Sequence, residues 1–126
     1  MSIEQRRHPR LNTFGRFDIR AHFQHKGQKF DHASVVSLSK SGAFLALPQR
    51  DLTWFSANDL IGNMSFTLHQ LDGVVFGGRV VYVLTPPEGD DRLGGCGVEF
   101  THLNLGDAEK IAEFVNANLA DTDLNP

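Results

Sequence analysis

Arg16-Phe17-Asp18-Ile19-Arg20-Ala21-His22-Phe23 alternates a charged or polar side chain with an apolar one at every step. Successive side chains of a strand point to opposite faces, so a period of two describes a strand with one buried and one wet face. The pattern opens at Phe14, and Lys26-Gly27 behind it reads as a turn. Lys29 to Leu38 forms a second run, broken by Ser39-Lys40-Ser41-Gly42, and Ala43-Phe44-Leu45-Ala46-Leu47 forms a third, closed by Pro48. Residues 48–63 are the least regular, with turn residues around Trp54-Phe55 and Leu60-Ile61.

Met64 to Leu71 alternates again, and Asp72-Gly73 predicts a two-residue hairpin turn into the next run. Val74 to Leu84 is apolar on both faces, which predicts a central strand covered on both sides. Gly77-Gly78 inside it marks a bulge or a close backbone approach. Pro86 to Asp91 predicts an exposed acidic turn, and Leu93 to Phe100 a last strand with Cys96, Val98 and Phe100 facing one way. Only the end is helical. Asn104 is a candidate N-cap with Asp107 three residues on, and Ala108, Ile111, Ala112, Val115 and Leu119 make one apolar stripe with Phe114 beside it. About six short strands followed by one amphipathic helix predict a small all-β antiparallel barrel capped by a C-terminal helix. The expected organisation is a flexible arm over 1–12, one barrel with its helix over 13–120, and a frayed tail over 121–126.

A chain of 126 residues has room for one domain and one modest core, and its ten Phe supply the apolar surface that a disordered chain lacks. No apolar run approaches the ~20 residues of a membrane-spanning helix, and no signal peptide is visible behind Arg6-Arg7. Cys96 is the only cysteine, which excludes an internal disulfide and a cysteine zinc site and sets the expectation of a reducing cytoplasm. The net charge of −3 is unevenly spread. Residues 1–30 hold seven Lys/Arg against Glu4 and Asp18, a local +5; residues 31–126 hold five against thirteen Asp/Glu, a local −8. An acidic body disfavours a long phosphate backbone as partner, so general nucleic-acid binding is not expected. Two readings of the basic end stand: a solvated tail, or an arm for a small, compact anion.

Enzyme signatures fail. There is no Gly-rich phosphate loop, no His-Glu-x-x-His and no Gly-x-Ser-x-Gly elbow. His22, His25 and His32 lie close in sequence, but His22 and His25 should face opposite sides, so surface histidines are expected rather than a metal site. Cys96, in an apolar alternating run, reads as a buried thiol and not a nucleophile. Arg6 and Arg10 form Arg-x-x-x-Arg, with Pro9 stiffening the segment and Arg7 adding a third guanidinium. Guanidinium forks grip phosphate bidentately and match the O6/N7 edge of guanine. The Ser37-to-Gly42 break offers hydroxyls and free backbone N–H groups, with Gly42 permitting positive φ and close approach; a routine Ser/Gly turn is the competing reading.

In this order and spacing, Arg6-Arg7-His8-Pro9-Arg10, then Ser37-x-Ser39-x-x-Gly42 followed by Ala43-Phe44-Leu45, resembles the PilZ domain family. Gly78-Arg79-Val80-Val81-Tyr82 is similar to that family's central strand and Gly97-Val98-Glu99-Phe100 to its segment before a closing helix, and the resemblance runs over roughly residues 4–119. It implies a six-stranded antiparallel barrel that receives the bacterial second messenger cyclic di-GMP without catalysis and without a further cofactor or metal. By the same resemblance Arg6 and Arg10 bind phosphates and guanine Hoogsteen edges, Arg7 adds a contact, Ser39 hydrogen-bonds the ligand and Gly42 shapes the turn. Tyr82 is a candidate for stacking on a guanine, with a core tyrosine as the alternative.

One position departs from the family pattern: its first turn residue is Asp or Asn, and here it is Ser37. A carboxylate accepts both N1–H and N2–H of guanine, a hydroxyl one at a time, and the lost bond costs ~1.5–3 kcal/mol. Retained binding is the expectation, with the arm over 1–12 mobile until ligand orders it and a protein partner reading the change. The alternative is a protein-interaction adaptor on the same barrel, in pilus or motility machinery, that no longer binds nucleotide. Ser37 favours that alternative, as does an exposed docking patch at Trp54-Phe55, unless those aromatics plug an open barrel end.

Overall fold

A computed structural model describes residues 9–86 and 94–123. In chain order they form β1 (Leu11–Asn12), β2 (Arg20–His25), β3 (Gln28–Leu38), β4 (Gly42–Leu47), a single helical turn α1 (Gln49–Leu52), β5 (Leu60–Phe66), β6 (Phe76–Leu84), β7 (Gly94–Thr101) and α2 (Leu105–Asp123). Every pairing is antiparallel, and the order β3-β2-β5-β6-β7-β4 returns to β3, closing a six-stranded barrel. Closure leaves those six strands no open edge. Ile19, Ala21, Phe23, Leu45, Leu47, Met64, Val80, Cys96 and Val98 point inward and form the core.

The first strand differs from its reading in extent. Ile19, Ala21 and Phe23 do face the core, but the ladder begins only at Arg20. Leu11 and Asn12, assigned to the arm, instead pair with Leu38 and Ser37, so β1 and β2 lie along the same side of β3. Between them Thr13 and Phe14 both donate N–H to the Val36 carbonyl, and the buried Thr13 hydroxyl donates to the Val35 carbonyl at 2.6 Å. This excursion carries Phe17 out to the helix, where its ring meets Phe114 edge-on at 5.3 Å.

Nor is β6 covered on both sides. Val81, Tyr82 and Leu84 are 43%, 40% and 59% exposed, because the long helix α2 packs mainly against residues 69–71 and β1 and not over β6. Gly77 and Gly78 are close approaches, with added Cβ atoms 2.9 Å from Thr101 Oγ1 and 2.8 Å from Val98 Cγ1; the β5–β6 register also shifts opposite Gly77, between Ile61 and Met64, and the β6–β7 register shifts between Val80 and Tyr82. Asp72-Gly73 does not make a two-residue hairpin. β5 ends at Phe66, a short 3-10 turn follows over His69–Leu71, and Leu71 and Val74 are buried. The turn packs against α2, and sealing that end decides the path.

α2 starts as read: Asn104 Oδ1 accepts the Asp107 N–H at 2.8 Å, the N-cap bond. Ile111, Phe114 and Val115 are its buried face, each contributing about 1.5–3 kcal/mol of apolar burial. The helix runs on to Asp123, three residues beyond the expected boundary. His25 is a correction, since it is buried and not on the surface; its ring stacks on Phe55 at 4.2 Å and its Nε2–H donates to Asp59 Oδ2 at 2.9 Å. Phe55 is therefore part of the interior at that end, with Phe23 and Phe30, and Trp54 alone stays exposed. The acidic turn at Pro87 to Asp91 lies outside the described residues.

Candidate functional site

Ser39 decides the shape of the β3–β4 turn. Its backbone N–H donates to the Gly42 carbonyl at 2.8 Å, and its hydroxyl oxygen accepts the N–H groups of Ser41 at 3.2 Å and Gly42 at 3.1 Å. Ser39 is 5% exposed, so the hydroxyl staples the turn from within, and a direct bond to a ligand has to displace one of those partners. Gly42 does not adopt positive φ, contrary to one reason given for it. The requirement is close approach, since a Cβ there would sit 2.5 Å from the Val98 carbonyl oxygen of the neighbouring strand. The Phe100 N–H donates to the Ser41 carbonyl at 2.8 Å and fixes the turn to β7.

From the turn, strand register lays a row of residues across the outer face. Asn12 stands opposite Ser37, Ser37 opposite Phe44, Phe44 opposite Gly97, and Gly97 opposite Tyr82. Their neighbours Leu11, Leu38, Ala43 and Cys96 are buried, which sets the row on the outside. A Cβ on Gly97 would lie 2.5 Å from the Tyr82 ring, and one on Gly95 would lie 2.6 Å from the Phe44 ring. Both aromatics thus lie down on bare backbone. Their centroids are 6.2 Å apart with planes inclined by 29°, a partly exposed aromatic floor reaching toward Ser37. Phe44 and the two glycines were missed in the sequence; the signal was Gly95-x-Gly97, glycine at two successive outward positions of one strand.

Arg10 is exposed and immediately precedes β1; continuing the β1–β3 register by one residue sets it opposite Ser39. Arg6 and Arg7 lie outside the described residues. Next to Gly42 on the outer face, Glu99 is engaged by Arg79, whose Nε and Nη2 reach Oε1 at 3.2 and 3.1 Å while Nη1 donates to Asn58 Oδ1 at 2.7 Å. That pairing offsets the carboxylate charge beside the row. Elsewhere, burial pushes the Cys96 thiol up to about 12, which leaves it protonated and unreactive. Among the described residues no three His, Cys, Asp or Glu side chains gather to hold a metal ion. Among the described residues no helix is long and apolar enough to cross a membrane.

A small closed six-stranded barrel with a Ser/Gly turn between β3 and β4 and a C-terminal helix defines the fold class. The PilZ domain family model matches residues 4–117, and the chain belongs to that family. No curated protein sequence is similar enough to count as a relative. Among solved structures, the K. pneumonia MrkH–c-di-GMP complex resembles it with a TM-score of 0.80 at 18% identity, covering 96% of this chain and 55% of that one. The Bacillus subtilis inhibitor of motility MotI/DgrA gives 0.72 at 12% identity, covering 92% and 52%. The PilZ domain of Escherichia coli YcgR with c-di-GMP gives 0.71 at 9% identity, covering 94% of both chains. The chain therefore spans about half the length of MrkH and MotI, and these likenesses bear on the fold.

Proposed function

We propose that the chain is a non-catalytic receptor for cyclic di-GMP, working in the bacterial cytoplasm. The observation that carries this reading is the outer row from Asn12 through Ser37 and Phe44 to Tyr82, bordered by the stapled turn and entered past Arg10. Arg6 and Arg10 hold phosphates and guanine Hoogsteen edges, and Arg7 adds a third fork. Ser37 meets the guanine Watson–Crick edge, and Tyr82 offers its ring for stacking. Ser39 and Gly42 keep the turn in shape. That MrkH and the YcgR domain are each described with c-di-GMP supports the choice of ligand. The ligand carries two negative charges, which suits an end of the chain with a local +5.

The output follows from the arm. Closing an arginine-bearing segment over the row costs about 2–5 kcal/mol of the gross interaction energy in ordering, and it changes the surface a protein partner meets. The test is calorimetry with cyclic di-GMP. Binding tighter than about 100 µM is expected, with Arg6→Ala and Arg10→Ala each weakening it roughly a hundredfold; absence of binding by the wild type overturns the reading.

A further inference from the structure

The family pattern has Asp or Asn where this chain has Ser37, so one side chain able to accept two hydrogen bonds is missing from the turn. The register supplies a neighbour. Asn12 stands directly opposite Ser37 across β1 and β3, one position from the buried pair Leu11 and Leu38. Opposed residues of an antiparallel pair project from the same face with Cβ atoms about 4.5–5.5 Å apart. With the two leucines filling the core, exposed Asn12 and half-buried Ser37 share the outer face. Asn12 Oδ1 accepts the Phe14 N–H at 3.2 Å, which orients the carboxamide and leaves that oxygen a second lone pair. The segment that puts Asn12 there is the short β1 strand, anchored by Leu11.

Resting on the cyclic di-GMP reading above, we propose that Asn12 and Ser37 together replace the missing Asp or Asn. The Asn12 carbonyl and the Ser37 hydroxyl each accept one N–H of the guanine Watson–Crick edge. Two acceptors on adjacent strands then offer the donor pair N1–H and N2–H what one carboxylate offers from a single strand. Asn12 is thus a specificity-determining residue that sequence spacing does not reveal, since it lies 25 positions from Ser37 and meets it only through the ladder.

The test is a double-mutant cycle read by calorimetry with cyclic di-GMP. Asn12→Ala weakens binding about tenfold in the wild-type background and less than about threefold in the Ser37→Asp background, where the carboxylate already supplies both acceptors. Asn12→Asp, which keeps the bond to the Phe14 N–H, binds at least as tightly as wild type. Equal losses in both backgrounds, or Asn12→Asp as weak as Asn12→Ala, overturn the shared-acceptor role. Binding by Ser37→Asp but not by wild type overturns both the role of Asn12 and the receptor reading, since the natural chain then holds no ligand. Failure of wild type and Ser37→Asp alike overturns the receptor reading beneath it.

Discussion

Tyr82 is 40% exposed although one of its ring faces lies against Gly97 with no Cβ between them. A flat ring held this way loses little freedom when a second flat group settles on it. Stacking of a base on an aromatic side chain is worth about 1–3 kcal/mol, so Tyr82→Ala should weaken cyclic di-GMP binding by roughly 5- to 150-fold in calorimetry, with Tyr82→Phe near wild type. Equal affinity for wild type and Tyr82→Ala would remove the ring from the site. The tyrosine was legible as a candidate through the family resemblance of its strand. Its support was not, because Phe44 and Gly97 are 53 positions apart and meet only after β4 and β7 pair.

At the level of elements, α2 holds the barrel shut. Phe114 is 6% exposed and meets Phe17 edge-on, so Phe114→Ala should destabilise the fold by about 3–5 kcal/mol in urea denaturation. At the aromatic end opposite in character, β2 is tied to the loop before β5 by His25 and Asp59. The His25 hydrogen bond holds the Asp59 carboxyl below its ordinary value, with partial burial opposing and the Ser56 N–H and Lys26 ammonium assisting. A carboxyl lowered in the folded state stabilises the fold above the unfolded value of about 3.9, and that contribution is lost as pH falls through the lowered one. The melting temperature of wild type should therefore exceed that of Asp59→Asn near pH 6, with the gap closing below about pH 4; a constant gap would contradict the linkage. Element identity was legible from alternation because inward positions must be apolar. Coverage was not, since an apolar outward residue such as Val81 looks the same whether a helix lies over it or not. The Asp72-Gly73 signal lost to tertiary packing, as burying Leu71 and Val74 outweighs the local preference for a tight turn.

For the molecule as a whole, the distribution of charge and the closed barrel work together. A rigid sheet presents a row of acceptors and aromatic rings at fixed spacing, and a basic leading segment supplies the charge that an acidic body lacks. On the proposed reading, affinity depends on the two parts meeting over one outer face, whereas Phe23, His25 and Phe55 pack inside the barrel. The most direct test is a titration of isotope-labelled protein with cyclic di-GMP, followed through its backbone amide NMR signals. The receptor reading predicts shifts concentrated at residues 4–12, 37–44, 82 and 97, with the amides of Phe23, His25 and Phe55 unmoved. Unchanged spectra at saturating ligand, or shifts confined to the aromatic end, would contradict it.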